Sequence, residues 1–503
     1  YGHYHRHPFY LRSTNSSHWH DCRPHRQKKP IMKILLINPP SENELIGNNP
    51  SIIEEERGYN PPLGILYIAG YLEKHTNFDV EVLDTQAEEI GYDRLKDVIR
   101  AKLPDVIGIT AMTFTLIDVI KVINLIKSIR PEIKIVLGGP HVHIYPEETI
   151  NIPWVDFLVL GEGEVTFKEL VENIDNPARL RSIPGLVFKE NGRVINTGAR
   201  PLNENLDSLP FPARHLTPVK KYSSLMARRS PITTMFTSRG CPYRCTFCDR
   251  PHLGKNFRAR SAMNVVDEME ECVKLGINEF LIYDDTFTID RQRVIDVCNE
   301  IKRRKLNIGW DIRARVNNID RELLRKLKEA NCERIHYGVE SGNPEILKIL
   351  NKGITIDRVR TTFKQTKDAG ISVLAYFMIG CPKETRKEVM ETIAFAKELK
   401  PDFVHITIFT PFPATEIYKM GLKDGIIKED FWREFAKNPV PGFQPKCWEE
   451  NFTREELQEL IVYAYKNFYT RPSYILKRLT HIRSIGEFKR MARAGLKVFG
   501  MKS

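Results

Sequence analysis

The chain has 503 residues, 42% hydrophobic and 28% charged, a globular rather than a disordered or fibrous composition, and it is longer than the roughly 100–200 residues of one domain. No run of about 18 apolar residues argues for a spanning helix and no charged-then-apolar leader opens the chain, so a cytoplasmic protein is expected. The net charge of +12 sits at the ends: six Lys/Arg against one acid in residues 1–30 and eleven against four in 451–503 leave 31–450 at zero, which is not the basic body of a nucleic-acid binder.

Residues 1–30 hold six of the fourteen histidines, one cysteine (Cys22) and no hydrophobic period. The histidine spacings match no zinc pattern, so 1–31 is expected to be a disordered extension ahead of a natural start at Met32. From residue 33 short apolar runs alternate with amphipathic stretches. Strands are expected at 33–38, 79–83, 106–111, 133–138 and 156–160, and helices at Leu63–Lys74, Leu95–Lys102 and Leu116–Ile129. This alternation predicts a doubly wound α/β domain over 32–180, with a parallel sheet covered on both faces. Ligands of such sheets lie beyond the carboxyl ends of the strands. Here those ends are rich in glycine and small polar residues, which admit a large flat ligand close to the backbone.

Residues 181–226 break the rhythm. A hairpin turning at Asn191-Gly192 and a proline-bearing stretch, Leu209-Pro210-Phe211-Pro212, read as a linker. A second series follows, with strands at 232–237, 279–284, 308–313, 334–339, 372–379 and 402–408. Six βα units over 227–450 fit a partial version of the eight-unit barrel, whose chemistry lies at the carboxyl strand ends. From 451 to 503 the pattern turns helical and basic. It reads as a solvated appendage or as an amphipathic helix for an anionic membrane surface.

Between residues 31 and 240 there is no cysteine; then Cys241, Cys245 and Cys248 fall within eight residues. Paired structural cysteines would be spread along a chain from an oxidising compartment. Three thiolates on one short loop can each take one iron of a cubane cluster and leave the fourth iron open. Closed zinc sites want four ligands, usually as separated pairs, and no second pair exists. Cys272, Cys298 and Cys332 read as small buried hydrophobes. Cys381, at a strand end, and Cys447 are less easily dismissed; Cys381 is a candidate hydrogen-atom donor or further ligand.

The CxxxCxxC loop with Phe247 before its last cysteine resembles the signature of the radical S-adenosylmethionine (SAM) superfamily. The resemblance implies a [4Fe–4S] cluster on the three cysteines. SAM is chelated at the open iron, and an electron cleaves it to a 5′-deoxyadenosyl radical. It also implies SAM contacts from Phe247, Asp284, Asp285, Arg315, Glu340 and Gly380; a helix N-cap pair is the plain reading of the two aspartates. No catalytic residue beyond the cluster and SAM ligands is expected.

The preceding domain resembles the cobalamin-binding domain of cobalamin-dependent radical SAM enzymes. The likeness runs over 33–470, through the NPP opening, PPLGILYIAGYL, GGPH, LGEGE and RPSYILKRL. It is nearest to the group holding anaerobic tetrapyrrole cyclases and carbon methylases. The implied cobalamin contacts are Thr110, Met112, Thr113, Gly138, Gly139, His141, Gly161, Glu162 and Gly163. The DxHxxG motif that supplies a cobalt ligand elsewhere is absent, and His141 reads better as a pocket-wall or capping residue. A Rossmann nucleotide site lacks its GxGxxG, and methylthiotransferases bring further cysteines that 32–180 lacks. The family thus implies methylation of an unactivated carbon of a small or lipid-like substrate. An electron donor such as ferredoxin or flavodoxin is expected as a partner. A cyclase or carbon–carbon coupling enzyme is the alternative, and a cobalamin-binding sensor module is the alternative of another class.

Overall fold

The computed structural model describes residues 31–45, 47, 48, 58–224, 226–249, 254–479, 495 and 500. The extension expected at 1–31 lies outside them apart from its last residue, as does most of the basic tail beyond 479. Residues 32–503 form one compact unit, built on two sheets.

The first sheet takes strands β1 (Lys33–Asn38), β2 (Asp79–Asp84), β3 (Val106–Thr110), β4 (Lys134–Gly138), β5 (Phe157–Val159), β6 (Leu186–Glu190) and β7 (Arg193–Asn196), in the order β2-β1-β3-β4-β5-β6-β7. The first five are parallel. The run KILLIN explains why: Ile34 and Leu36 enter one core with Leu66 and Phe157, while Leu35 and Ile37 enter another with Ile107 and Ile109. A strand buried on both faces must be apolar at consecutive positions. The hairpin read as part of a linker is instead the sheet's edge, because β6 pairs antiparallel with β5 and carries β7 with it. Only the proline-bearing segment after it connects the two halves.

The second sheet takes β8 (Ile232–Met235), β11 (Glu279–Ile282), β12 (Gly309–Ala314), β13 (Cys332–Glu340), β14 (Ser372–Ile379) and β15 (Phe403–Ile408), all parallel and in sequence order. Between the first two of these strands, β9 (Ser238–Arg239) and β10 (Arg258–Ala259) form a short antiparallel ribbon. Helices Ala262–Lys274, Arg291–Arg303, Arg321–Glu329, Ile356–Asp368, Arg386–Leu399 and Arg454–Tyr469 follow the strands. Alternate strand residues, among them Phe280, Ile312, Tyr337, Val373 and Ile406, share one core with those helices. The fold is a curled (βα)6 half-barrel, as the alternation predicts.

The two halves share a core. The face of the first sheet that holds Leu35 and Ile109 is continuous with Cys381, Phe409 and helix Phe431–Lys437. Trp432 on that helix is fully buried, donates its indole N–H to Pro411 O at 2.9 Å, and meets Phe114 and Phe412. Hydrogen bonds cross between the halves as well: Asn48 donates to Thr410 Oγ1 at 2.8 Å, and Tyr67 OH to Phe236 O at 3.4 Å.

Candidate active site

The cysteine loop leaves the β9–β10 ribbon at Gly240. Its φ is +83°, and a Cβ there would stand 2.2 Å from Asn256 O, so only glycine lets the chain turn at that point. Beyond it the loop is pinned from several sides. Thr246 N–H donates to Leu350 O at 3.1 Å, its hydroxyl to Ile349 O at 3.2 Å, and Asn351 Nδ2 to Arg244 O at 2.7 Å. Ile417 N–H donates to Thr246 O at 3.0 Å, and Cys248 N–H closes a turn onto Cys245 O at 3.2 Å. Cys241 is buried, Cys245 and Cys248 are half-buried, and all three thiols are free of disulfides. Among the described residues no three Cys, His, Asp or Glu side chains close on a single metal ion. Three cysteine sulfurs on one loop, none in a disulfide, are a donor set that suits an iron–sulfur cluster.

Arg315 follows β12 and reaches this loop. Its Nη1 donates to Cys245 Sγ at 3.4 Å, its guanidinium lies 3.8 Å from the Tyr243 ring centre, and it also donates to Lys352 O. Tyr243 is held in turn by Asn318 Oδ1 at 2.9 Å. Glu340 ends β13 at φ +70° and pairs with Lys352 Nζ at 2.6 Å; that ammonium also lies 5.6 Å from the Phe247 ring centre. Arg315, Glu340 and Phe247, named from the sequence, are therefore gathered on the cysteine loop. Lys352 was not foreseen. Its only sequence signal is a cation before Gly353 in the turn after a short helix.

Asp284 departs from its expected role. It is fully buried and accepts from Thr237 N–H at 2.6 Å, Ser238 N–H at 3.1 Å, Ser238 Oγ at 2.6 Å and Thr237 Oγ1, with Arg293 at 3.6 Å. Its oxygens are spent on the chain just ahead of the cysteine loop, which makes it a positioning residue. The same capture ends β8 at Met235, two residues short of the strand expected to reach 237. Asp285 is half-buried beside it. Gly380 also has a packing reason: at φ +79°, a Cβ would stand 2.8 Å from Leu457 on helix Arg454–Tyr469. Burial pushes the Cys381 thiol well up, and the residue packs in the apolar core shared by both halves.

At the carboxyl edge of the first sheet, Thr110, Thr113, Gly138 and Gly139 are half-buried and Met112 is 44% exposed. A Cβ on Gly161 would meet nothing within 4 Å, and one on Gly138 only Val159 O at 3.9 Å. Open backbone of this kind suits a broad flat ligand. Gly139, at φ +104°, and Gly163 differ, because added carbons would stand 2.9 Å from Ala111 O and 3.2 Å from Ile68. His141 is fully buried. Its Nδ1 meets Thr113 Oγ1 at 3.0 Å, its Nε2 has no partner, and burial lowers its pKa to about 4. A buried orphaned ring nitrogen beside an open glycine edge fits a cobalamin-sized group.

Glu162 is drawn elsewhere. It pairs with Arg239 at 3.1 Å and Arg258 at 2.9 Å, and it accepts Asn203 N–H at 2.9 Å. Burial opposes its charge, but the hydrogen bond from Arg258 and the charge of Arg239 hold its carboxyl below the usual range. Glu164 pairs with Arg239 as well. These contacts tie the end of β5 to the two strands that frame the cysteine loop. The sequence offers both acids but not their arginine partners, which lie 75 to 96 residues on.

The chain matches the Radical SAM superfamily over residues 235–396 and the B12 binding domain over 52–171. An uncharacterized methyltransferase of Pyrococcus horikoshii is 37% identical over 452 residues, covering 89% of this chain and 94% of the relative. The anaerobic magnesium-protoporphyrin IX monomethyl ester cyclase of Rubrivivax gelatinosus is 29% identical, covering 88% and 78%. In fold the chain is similar to the cobalamin-dependent SAM radical enzyme OxsB with aqua-cobalamin and SAM bound, at a TM-score of 0.72 and 19% identity, over 93% of this chain and 72% of that one. The paired domains and the full-length relative establish that this chain belongs to the radical SAM enzymes that carry a B12-binding domain, a family whose cofactors are a [4Fe–4S] cluster, SAM and cobalamin.

Proposed function

We propose that the chain is a cobalamin-dependent radical SAM methyltransferase acting on an unactivated carbon of a small or lipid-like molecule, with Cys241, Cys245 and Cys248 as the protein ligands of its cluster. On this reading residues 32–180 carry cobalamin and 227–450 the radical chemistry. One observation supports it above the rest: the ribbon that launches the three-thiol loop is bound through Arg239 and Arg258 to Glu162 and Glu164, at the carboxyl edge of the first sheet. When bound, the cluster supplies an electron for cleaving the sulfonium, and cobalamin supplies a carrier for the methyl group.

The remaining work falls to side chains. Arg315 donates to Cys245 Sγ and so holds that sulfur in place on the loop. Lys352 neutralises Glu340 beside the loop. The apolar core shared by both halves keeps water from the space between the sheets. A low-potential donor such as ferredoxin or flavodoxin would deliver the electron. Exposed Ile475, Leu476 and Leu479, next to the basic tail, support peripheral contact with an anionic membrane.

Anaerobic turnover with methyl-labelled SAM tests the reading, which requires label in the product. A cyclase, favoured by the Rubrivivax relative, would consume SAM and leave the product unlabelled. Cys245→Ala should abolish 5′-deoxyadenosine formation; full production by that variant would remove the cluster assignment.

A further inference from the structure

The inner face of the half-barrel is set by strand alternation. Residues that share the helix-side core on β11 to β15 are Phe280 and Ile282, Ile312 and Ala314, Ile335 and Tyr337, Ala375 and Phe377, and Val404 and Ile406. Successive side chains of a strand point to opposite faces. The alternate positions, Arg313, His336, Tyr376 and His405, together with Tyr283 just past β11, therefore look inward. This face is polar where a structural core would be apolar. Tyr283, Arg313, Tyr376 and His405 are also only half-buried.

The charges on this face are mostly answered. Asp311 has Arg334 at 3.4 Å and His336 at 3.3 Å, and His336 also meets Tyr376 OH at 2.9 Å. Glu340 has Lys352. Arg313 is different. Its guanidinium carbon lies 3.7 Å from the Tyr283 ring centre, and its one hydrogen bond among the described residues is a long donation to Ile282 O at 3.4 Å. Among the described residues no carboxylate lies within ion-pair distance of it. A stacked guanidinium keeps its edge donors in the plane, where they match a carboxylate or phosphate in bidentate fashion. A half-buried cation held against an aromatic face, with most of its donors left over after one long hydrogen bond, is a preorganised anion receptor.

We propose that Arg313 anchors an anionic substituent, a carboxylate or a phosphate, of the substrate within the half-barrel, with Tyr283, Tyr376 and His405 forming the walls around it. The inference rests on the reading of this site as one that acts on a small molecule, and it names that molecule's class. SAM carries a carboxylate too, but Arg315, Lys352 and Glu340 already crowd the cysteine loop, and Arg313 lies within β12, two residues ahead of Arg315, which follows the strand.

The probes are benzoate and phenyl phosphate, with benzamide as the neutral isostere, titrated against the anaerobically reconstituted full chain by ligand-observed NMR. Wild type should bind the anions and not benzamide. Arg313→Gln should weaken anion binding at least tenfold, Arg313→Lys should retain part of it, and both should keep wild-type affinity for SAM. Equal anion binding by wild type and R313Q, or no anion binding by wild type, overturns the proposal. So does a parallel loss of SAM affinity, which would assign Arg313 to the SAM carboxylate. Turnover with methyl-labelled SAM separates the two readings. Label in a neutral product removes the anion anchor and leaves the methylase. Arg313-dependent anion binding without any label transfer removes the methylase and leaves the anchor.

Discussion

Arg315 and His141 make opposite demands on charge. A donor to a cluster sulfur stabilises the more negative, reduced state, so hydrogen bonds to sulfur raise the potential. With Cys245 as a ligand, Arg315→Gln should shift the cluster potential to a more negative value, read by potentiometric EPR without any turnover. His141 is held neutral by burial, at a pKa of about 4 against the ordinary 6.5. Between those values the unfolded chain binds a proton that the folded chain refuses, so stability is present above pH 6.5 and lost as pH falls toward 4, by about 3 kcal/mol in all. Urea unfolding at pH 7.5 and pH 5 should show this loss in wild type and a smaller one in His141→Asn. The residue types at both sites are legible in the sequence, as are the three cysteines by their spacing. The partners are not. Asp284 reads as a ligand group because nothing local shows that Thr237 and Ser238 already occupy it.

At the scale of elements, the strands were legible because apolar runs and punctuating glycines are local signals, and β14 falls at 372–379 as expected. The hairpin at 186–196 was legible as a hairpin but not as a sheet edge, since its pairing with β5 is a tertiary contact. Gly240 makes a sharper case. Its neighbour in the sequence is Cys241, yet its constraint comes from Asn256 O across the loop. Gly240→Ala places a Cβ against the backbone of Asn256 and Gly254 at a positive φ, which costs more than about 1 kcal/mol locally, and relieving it shifts the two sides of the loop that carries Cys241 apart. The expected outcome is a chain that folds, by circular dichroism, but retains less iron per chain after anaerobic reconstitution than wild type. Retention of the full iron content would mean that the loop tolerates the displacement.

Across the whole molecule the two sheets are joined by an apolar core and by a small set of buried charges, and the two kinds of contact respond differently to mutation. Trp432→Ala removes a fully buried indole from between the halves and should cost about 3–5 kcal/mol by lost burial and cavity formation. The ionic joint is less additive. Arg239, 9% exposed, faces both Glu162 and Glu164 and lies 5.3 Å from the Tyr67 ring centre. Arg239→Met leaves Glu162 with Arg258 but strands Glu164, and a buried charge without its partner costs about 3–5 kcal/mol. Glu164→Gln alone leaves Arg239 with Glu162, so it should cost less. The double variant removes the stranded charge altogether and should be more stable than Arg239→Met, although it carries one substitution more. Thermal unfolding of the four proteins measures that coupling, and simple addition of the two single effects would mean that water reaches Glu164 and that the pair does not bind the sheets together. Because Arg239 is also the last residue before the cysteine loop, iron retention should follow the same order as stability across the four. A variant that keeps its melting temperature and loses iron would locate the effect in the loop instead of the joint.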